Sequence, residues 1–144
     1  MPYQKLLVAY DGSEQSIRAL KTGIDMAATW KARLDVLHVY EIPVMIVGEA
    51  MVQPPVESSV AVVEEADNLA AEARSLIAAV PDVNAEVQVL QGNPGKTILE
   101  QAEELGSDLI IIGSRGLGGI KEFFLGSVSH HVIQHAKVPI HVVK

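Results

Sequence analysis

Short apolar runs alternate along the chain with longer stretches in which apolar residues recur every three or four positions. Lys5–Ala9 (KLLVA) is the first such run and predicts a buried strand. From Ser13 to Trp30, Ile17, Leu20, Ile24 and Ala27 keep helical spacing behind Ser13, a natural N-cap. Arg33–Tyr40 (RLDVLHVY) predicts the second strand. Val56, Val60, Val63, Ala66, Ala70, Ala73 and Ile77 then predict a long second helix that ends before Pro81. Ala85–Gly92 alternates as a strand does, and Asn93-Pro94 caps and starts a third helix with Ile98, Ala102 and Leu105 on one face and Gly106 as its stop. Asp108–Gly113 (DLIIIG) is a continuous apolar strand, the kind covered on both faces. Gly126 or Ser127 opens a fourth helix through Val128, Val132 and Ala136, and Val138–Val143 (VPIHVV) is the last strand.

The order is β-α-β-α-β-α-β-α-β, which predicts an α/β chain with a five-stranded parallel sheet and four helices on its two faces. We expect one doubly wound domain over residues 1–144 with strand order 3-2-1-4-5. In that order the chain reverses direction between the first and fourth strands, and ligands bind outside the carboxyl ends of strands at such a point. Those ends carry AYDGS and GSRGLGG. Between the second strand and second helix lie residues 41–56, longer than the roughly 12–15 at which a structureless loop becomes unusual. This segment is read as a mobile flap on the ligand side or as a short helix packed on the body.

The strongest chemical signal is Gly113-x2-Gly116-x9-Gly126-Ser127. Glycines let backbone N–H groups crowd around an anion, and a helix beginning near Gly126 aims its positive end at the same place. Ser127 and Ser129 add hydroxyls, and Arg115 or Lys121 adds local charge. The alternative is a flexible connector with a capped helix. Asp11, ending the first strand, either accepts hydrogen bonds from a ribose or closes an Asx turn over the helix start. Val39 either offers its backbone to an adenine edge or belongs to the core.

Composition removes other classes. With no cysteine in 144 residues, disulfides, thiolate nucleophiles and cysteine-ligated zinc are excluded. A net charge of −7 and 4% aromatics argue against nucleic acid polymers, which need a basic face and stacking platforms, but leave a small anionic ligand open. No apolar run approaches the roughly 18 residues of a membrane span, and MPYQKLLVAYDGS lacks the features of a signal peptide, so a soluble cytoplasmic protein is expected. GNPGKT ends like a P-loop, but the required first glycine falls at Leu90. GSRGLGGIK holds no G-x-G-x-x-G, because Gly116-x-Gly118 is followed three on by Lys121. His131 and His135 sit at i, i+4 without a third ligand in view and read as a solvated helix face, and no serine lies in a nucleophile elbow.

VAYDGS, GSRGLGGIKEFFLGSVSHHV and the closing VPIHVV together resemble the universal stress protein family, in its ATP-binding branch. The resemblance covers essentially the whole chain, and its most specific part is G-x2-G-x9-G-[ST]. It implies an adenine nucleotide alpha hydrolase-like, Rossmann-like domain, usually a homodimer, with ATP at the carboxyl ends of the first and fourth strands. On that basis Asp11 would touch the ribose, and Ala9, Tyr10 and Val39 would line the adenine pocket. Gly113, Gly116, Gly126, Ser127, Val128 and Ser129 would surround the phosphates, with Arg115 as local charge. Mg²⁺ would be held mainly by phosphates and water. The implied role is a stress-responsive switch with little or no hydrolysis, acting on a protein partner the sequence does not name. A slow ATP hydrolase and a protein-interaction module with a vestigial site stand as alternatives. Homodimerisation is expected through the edge strand Val138–Val143.

Overall fold

A computed structural model of the chain describes residues 3–42, 45–52, 55–115 and 126–144. Strands β1 (Lys5–Ala9) and β2 (Arg33–Tyr40) flank helix α1 (Glu14–Trp30) in sequence. A hairpin of β3 (Met45–Val47) and β4 (Ala50–Val52) precedes α2 (Val56–Ala78). Then come β5 (Ala85–Gln91), α3 (Pro94–Leu105), β6 (Leu109–Gly113), α4 (Ser127–His135) and β7 (Ile140–Val143). The main sheet runs β5-β2-β1-β6-β7 with every pairing parallel, which is the expected 3-2-1-4-5 once the hairpin strands are set aside.

Alternation along the central strands sends side chains into two separate cores. Leu6 and Val8 of β1, Tyr10 just past its end, and Leu109 and Ile111 of β6 pack with Leu20 and Ile24 of α1 and Leu69 and Ala73 of α2. Their neighbours Leu7, Ala9, Ile110 and Ile112 pack on the other face with Ile98 and Ala102 of α3 and Val132 of α4. A strand covered on both faces must be apolar at every position, as β6 is. Capping follows the sequence: Ser13 Oγ accepts the Ser16 N–H, Asn93 Oδ1 accepts the Lys96 N–H, and Gly106 closes α3 in the left-handed region. At the amino end of the sheet, the Asp108 carboxylate accepts the N–H groups of Gln4 and Lys5. Nearby, Arg33 bridges the buried Asp35 at 3.0 Å and Glu86 at 2.7 Å.

Three expectations change. The 41–56 segment contains an antiparallel hairpin, with Met45 opposite Val52 and Ile46 opposite Met51, in place of a structureless flap or a short helix. Gly48, at φ +64°, supplies the left-handed residue its two-residue turn requires. The last strand begins at Ile140 because Pro139 has no N–H for a ladder; its carbonyl instead accepts the Ile110 N–H. Finally, the apolar stripe of α2 is covered only from Ala66 onward, whereas Val56, Val60 and Val63 face solvent. Residues 43–44, 53–54 and 116–125 lie outside the described residues, and with them Gly116, Gly118, Gly119 and Lys121.

Candidate functional site

At the carboxyl edge of the sheet, where the path reverses between β1 and β6, the chain forms a cavity of about 310 Å³. Ten of the eleven residues singled out in the sequence line it: Ala9, Tyr10, Asp11, Val39, Gly113, Arg115, Gly126, Ser127, Val128 and Ser129. The eleventh, Gly116, lies outside the described residues. Ser16, Leu37, Pro94, Ile98 and Ile112 complete the wall. Sequence reasoning places Leu37 within the second strand, Ile98 on the apolar face of the third helix and Pro94 at its start. The missing signal was that α3 follows β5 and therefore begins on the ligand side of the sheet.

The floor is apolar: Ala9, Leu37, Ile98 and Ile112 belong to the core shared with α3 and α4, and Val39 packs on it. An apolar floor with a few polar groups at its rim is the usual make-up of a small-molecule site. Tyr10 lines the cavity from the strand end, but its side chain belongs to the opposite core and its hydroxyl donates to Glu72 Oε1 at 2.5 Å. Burial, then the hydrogen bond and charge of Glu72, push that phenol above its usual range. It is a fixed donor, and the ring is directed away from the slot. The Tyr10 carbonyl lies 2.8 Å from His38 Nδ1, so Nδ1 carries the proton, since a carbonyl only accepts.

Asp11 takes the turn-closing role of the two expected for it. Its Oδ1 accepts the Ser13 N–H at 2.9 Å, closing the Asx turn over α1, and the residue still lines the cavity. Among the described lining residues it is the one carboxylate and Arg115 the one permanent cation.

Helices α1, α3 and α4 each bring an N-terminal residue to the cavity, through Ser16, Pro94 and Ser127 respectively. Side-chain oxygens cap α1 and α3, while Gly126 gives α4 no side-chain hydrogen bond. The first N–H groups of a helix have no acceptor within it, and Ser127, Val128 and Ser129, which carry those of α4, all line the cavity. The loop ends are tied together: Gly126 N–H donates to Ser114 O at 2.8 Å, and the buried Ser129 hydroxyl donates to Gly113 O at 2.6 Å.

The two described motif glycines have different reasons to be glycine. A Cβ on Gly113 would lie 2.8 Å from Gln15 Cβ and 2.9 Å from Gln15 backbone carbon, so Gly113 is needed for the close approach of α1. Gly126 has φ −63° and ψ 159°, a backbone conformation open to any residue.

His131 and His135 lie apart from this cavity, their rings 4.6 Å apart, in a groove between α3 and α4 that also includes Lys96, Leu99 and Ser107. Among the described residues no group of three His, Asp or Glu side chains is placed to hold a metal, and no helix is long and apolar enough to cross a membrane.

The model of the universal stress protein family matches residues 2–144. The universal stress protein YxiE of Bacillus subtilis is 36% identical over 156 residues, covering 99% of each chain. The universal stress protein UspA from Lactobacillus plantarum superposes with a TM-score of 0.79 at 22% identity, covering 100% of this chain and 99% of that one. A universal stress protein solved in complex with cAMP superposes with a TM-score of 0.73 at 26% identity, covering 99% of this chain and 98% of its own.

Proposed function

The chain belongs to the universal stress protein family, and from that premise we propose that it is an ATP-binding regulatory protein. The observation that carries this reading is the N-terminus of α4, left without a side-chain cap where it faces the cavity. In this reading the adenine lies in the slot of Ala9, Leu37, Val39, Ile98 and Ile112, against the main chain of Tyr10. Asp11, which lines the cavity at the end of β1, accepts from the ribose hydroxyls. The phosphates rest on the N–H groups of Ser127, Val128 and Ser129, with Arg115 beside them and Gly113, Gly116 and Gly126 keeping the approach open. Ser129 acts chiefly through its N–H, because its hydroxyl proton is already directed to Gly113 O. The cAMP complex of a relative supports an adenine nucleotide as the ligand class.

Magnesium suits this donor set only as an ion carried in on the phosphates: Asp11 is the one described carboxylate nearby, and one of its oxygens already accepts a backbone N–H. Slow or absent turnover belongs to the same reading. Asp11 is also the sole described lining group able to serve as a base for water, so positioning alone would have to supply the rate. The role is then a switch whose ATP-bound and empty states differ for a partner. A second copy joins through β7, one of the two edge strands of the sheet, paired antiparallel about a two-fold axis.

The test is to purify the protein, denature it, and identify released nucleotide by mass and chromatography. ATP or ADP near one per chain supports the reading. A protein that emerges empty and takes up no added ATP is instead an interaction module with a vestigial site.

A further inference from the structure

Among the described residues, seven of the eight exposed large hydrophobic side chains fall between residues 46 and 63. On the hairpin, Ile46 is 74% and Met51 76% exposed, and Val47 and Val52 are exposed beside them. On α2, Val56, Val60 and Val63 stand at i, i+4 and i+7, one face of the helix, and all three are exposed. This face continues the stripe that Ala66, Ala70 and Ala73 bury against the sheet. The core-type pattern of α2 thus runs on for two turns past the end of its cover. Scattered exposed apolar residues need no explanation, but seven gathered on two elements consecutive in the chain mark surface that something covers.

The charge around it is one-sided. No lysine or arginine occurs between Arg33 and Arg74, while eight of the chain's 18 acidic residues lie in that interval. Of these, Glu41, Glu49, Glu57, Glu64 and Glu65 are exposed next to the apolar side chains in sequence and on the same two elements or their junctions. An isologous contact between two copies would set these glutamates against themselves, with no lysine or arginine in the interval to offset them. An anionic membrane surface would be repelled for the same reason.

We propose that the β3–β4 hairpin and the first half of α2 form a docking surface for a cationic amphipathic segment of a protein partner. The apolar face of such a segment would cover Ile46, Met51, Val56, Val60 and Val63, and its lysines or arginines would meet the surrounding glutamates. Met51 suits this use because its unbranched thioether repacks against different shapes. The surface stands apart from the nucleotide reading and is tested without nucleotide.

The probe is a synthetic leucine–lysine peptide with helical periodicity, titrated by calorimetry into the full chain. Its controls are a scrambled peptide of identical composition and a leucine–glutamate peptide. The periodic cationic peptide is expected to bind, the other two to bind at least tenfold more weakly, and added salt to weaken the complex. Met51→Ser with Val60→Ser should lower affinity at least tenfold, and Glu57→Lys with Glu64→Lys should do the same. These side chains are exposed, so melts of the variants should match wild type. Equal binding of the scrambled peptide, or variants indistinguishable from wild type, would overturn the proposal. So would a dimer in light scattering that Met51→Ser with Val60→Ser dissociates, because the surface would then belong to a second copy.

Discussion

Replacing Gly113 by alanine asks whether the glycine at the end of β6 serves the ligand or the fold. The added methyl carbon would sit 2.8 Å from Gln15 Cβ, 2.9 Å from Gln15 backbone carbon and 3.1 Å from its carbonyl oxygen. Carbon pairs settle at about 3.5–4.0 Å, so one partner must retreat by roughly 0.7 Å. Neither yields by changing rotamer, because a Cβ and main-chain atoms keep their places whatever the rotamer. Gln15 lies in the first turn of α1, anchored by Ser13, and Gly113 lies opposite Val143 in the ladder with Ser114 N–H bonded to Val143 O at 2.7 Å. Overpacking of this kind costs about 1–3 kcal/mol. For a chain of this size that lowers Tm by about 3–9 °C, at roughly 3 °C per kcal/mol. The assay is thermal unfolding by circular dichroism beside ATP titration of the folded variant. Gly126→Ala, at an unrestrictive backbone position, serves as the contrast and should melt within about 1 °C of wild type, as a harmless substitution does. A Gly113→Ala protein that melts like wild type would refute the packing argument.

Ser129→Ala removes the buried 2.6 Å bond to Gly113 O; it should cost roughly 1–2 kcal/mol of stability in a denaturant titration and weaken ATP binding less than tenfold, as a positioning change does. Arg33→Ala leaves the buried Asp35 carboxylate without its 3.0 Å partner; a loss of about 2–3 kcal/mol is expected, toward the low side of buried pairs because Arg33 is half-exposed, and Arg33→Met with Asp35→Leu should recover most of it. Tyr10 has its ionisation raised by burial and by Glu72. Its contribution is therefore complete below about pH 10, where the unfolded phenol titrates, and falls above it as only the unfolded chain releases the proton. Tyr10→Phe should flatten that alkaline decline and cost about 1 kcal/mol at neutral pH, since the exposed Glu72 rehydrates; an alkaline limb identical to wild type would contradict the assignment.

The order of the parallel sheet was legible because each of its strands is a short apolar run and each crossover a periodic helix. The position of the site followed from topology, which puts the ends of β1 and β6 together whatever their side chains. Less legible was the division of labour among the residues there. Periodicity cannot tell that Tyr10 turns its ring toward Glu72, because strand facing depends on which helices cover which side. Nor can it separate Gly113, constrained by Gln15, from Gly126, whose backbone angles are open to any residue. The hairpin was missed because three-residue strands carry too little alternation to register, leaving the turn glycine Gly48 as the one cue. The exposed half of α2 was unreadable for a different reason: its stripe has the pattern of a buried face, and only the reach of the sheet decides where the cover ends.

The central claim is that an adenine nucleotide sits with its phosphates on the start of α4. Calorimetric titration of ATP into wild type and Gly126→Val tests it most directly, with melts of both proteins alongside. Valine is compatible with the backbone at Gly126 but places methyl groups where phosphate oxygens must lie. The account predicts saturable binding near one ATP per chain in wild type, none detectable in the variant, and closely matching melts. Equal binding by both proteins would contradict it.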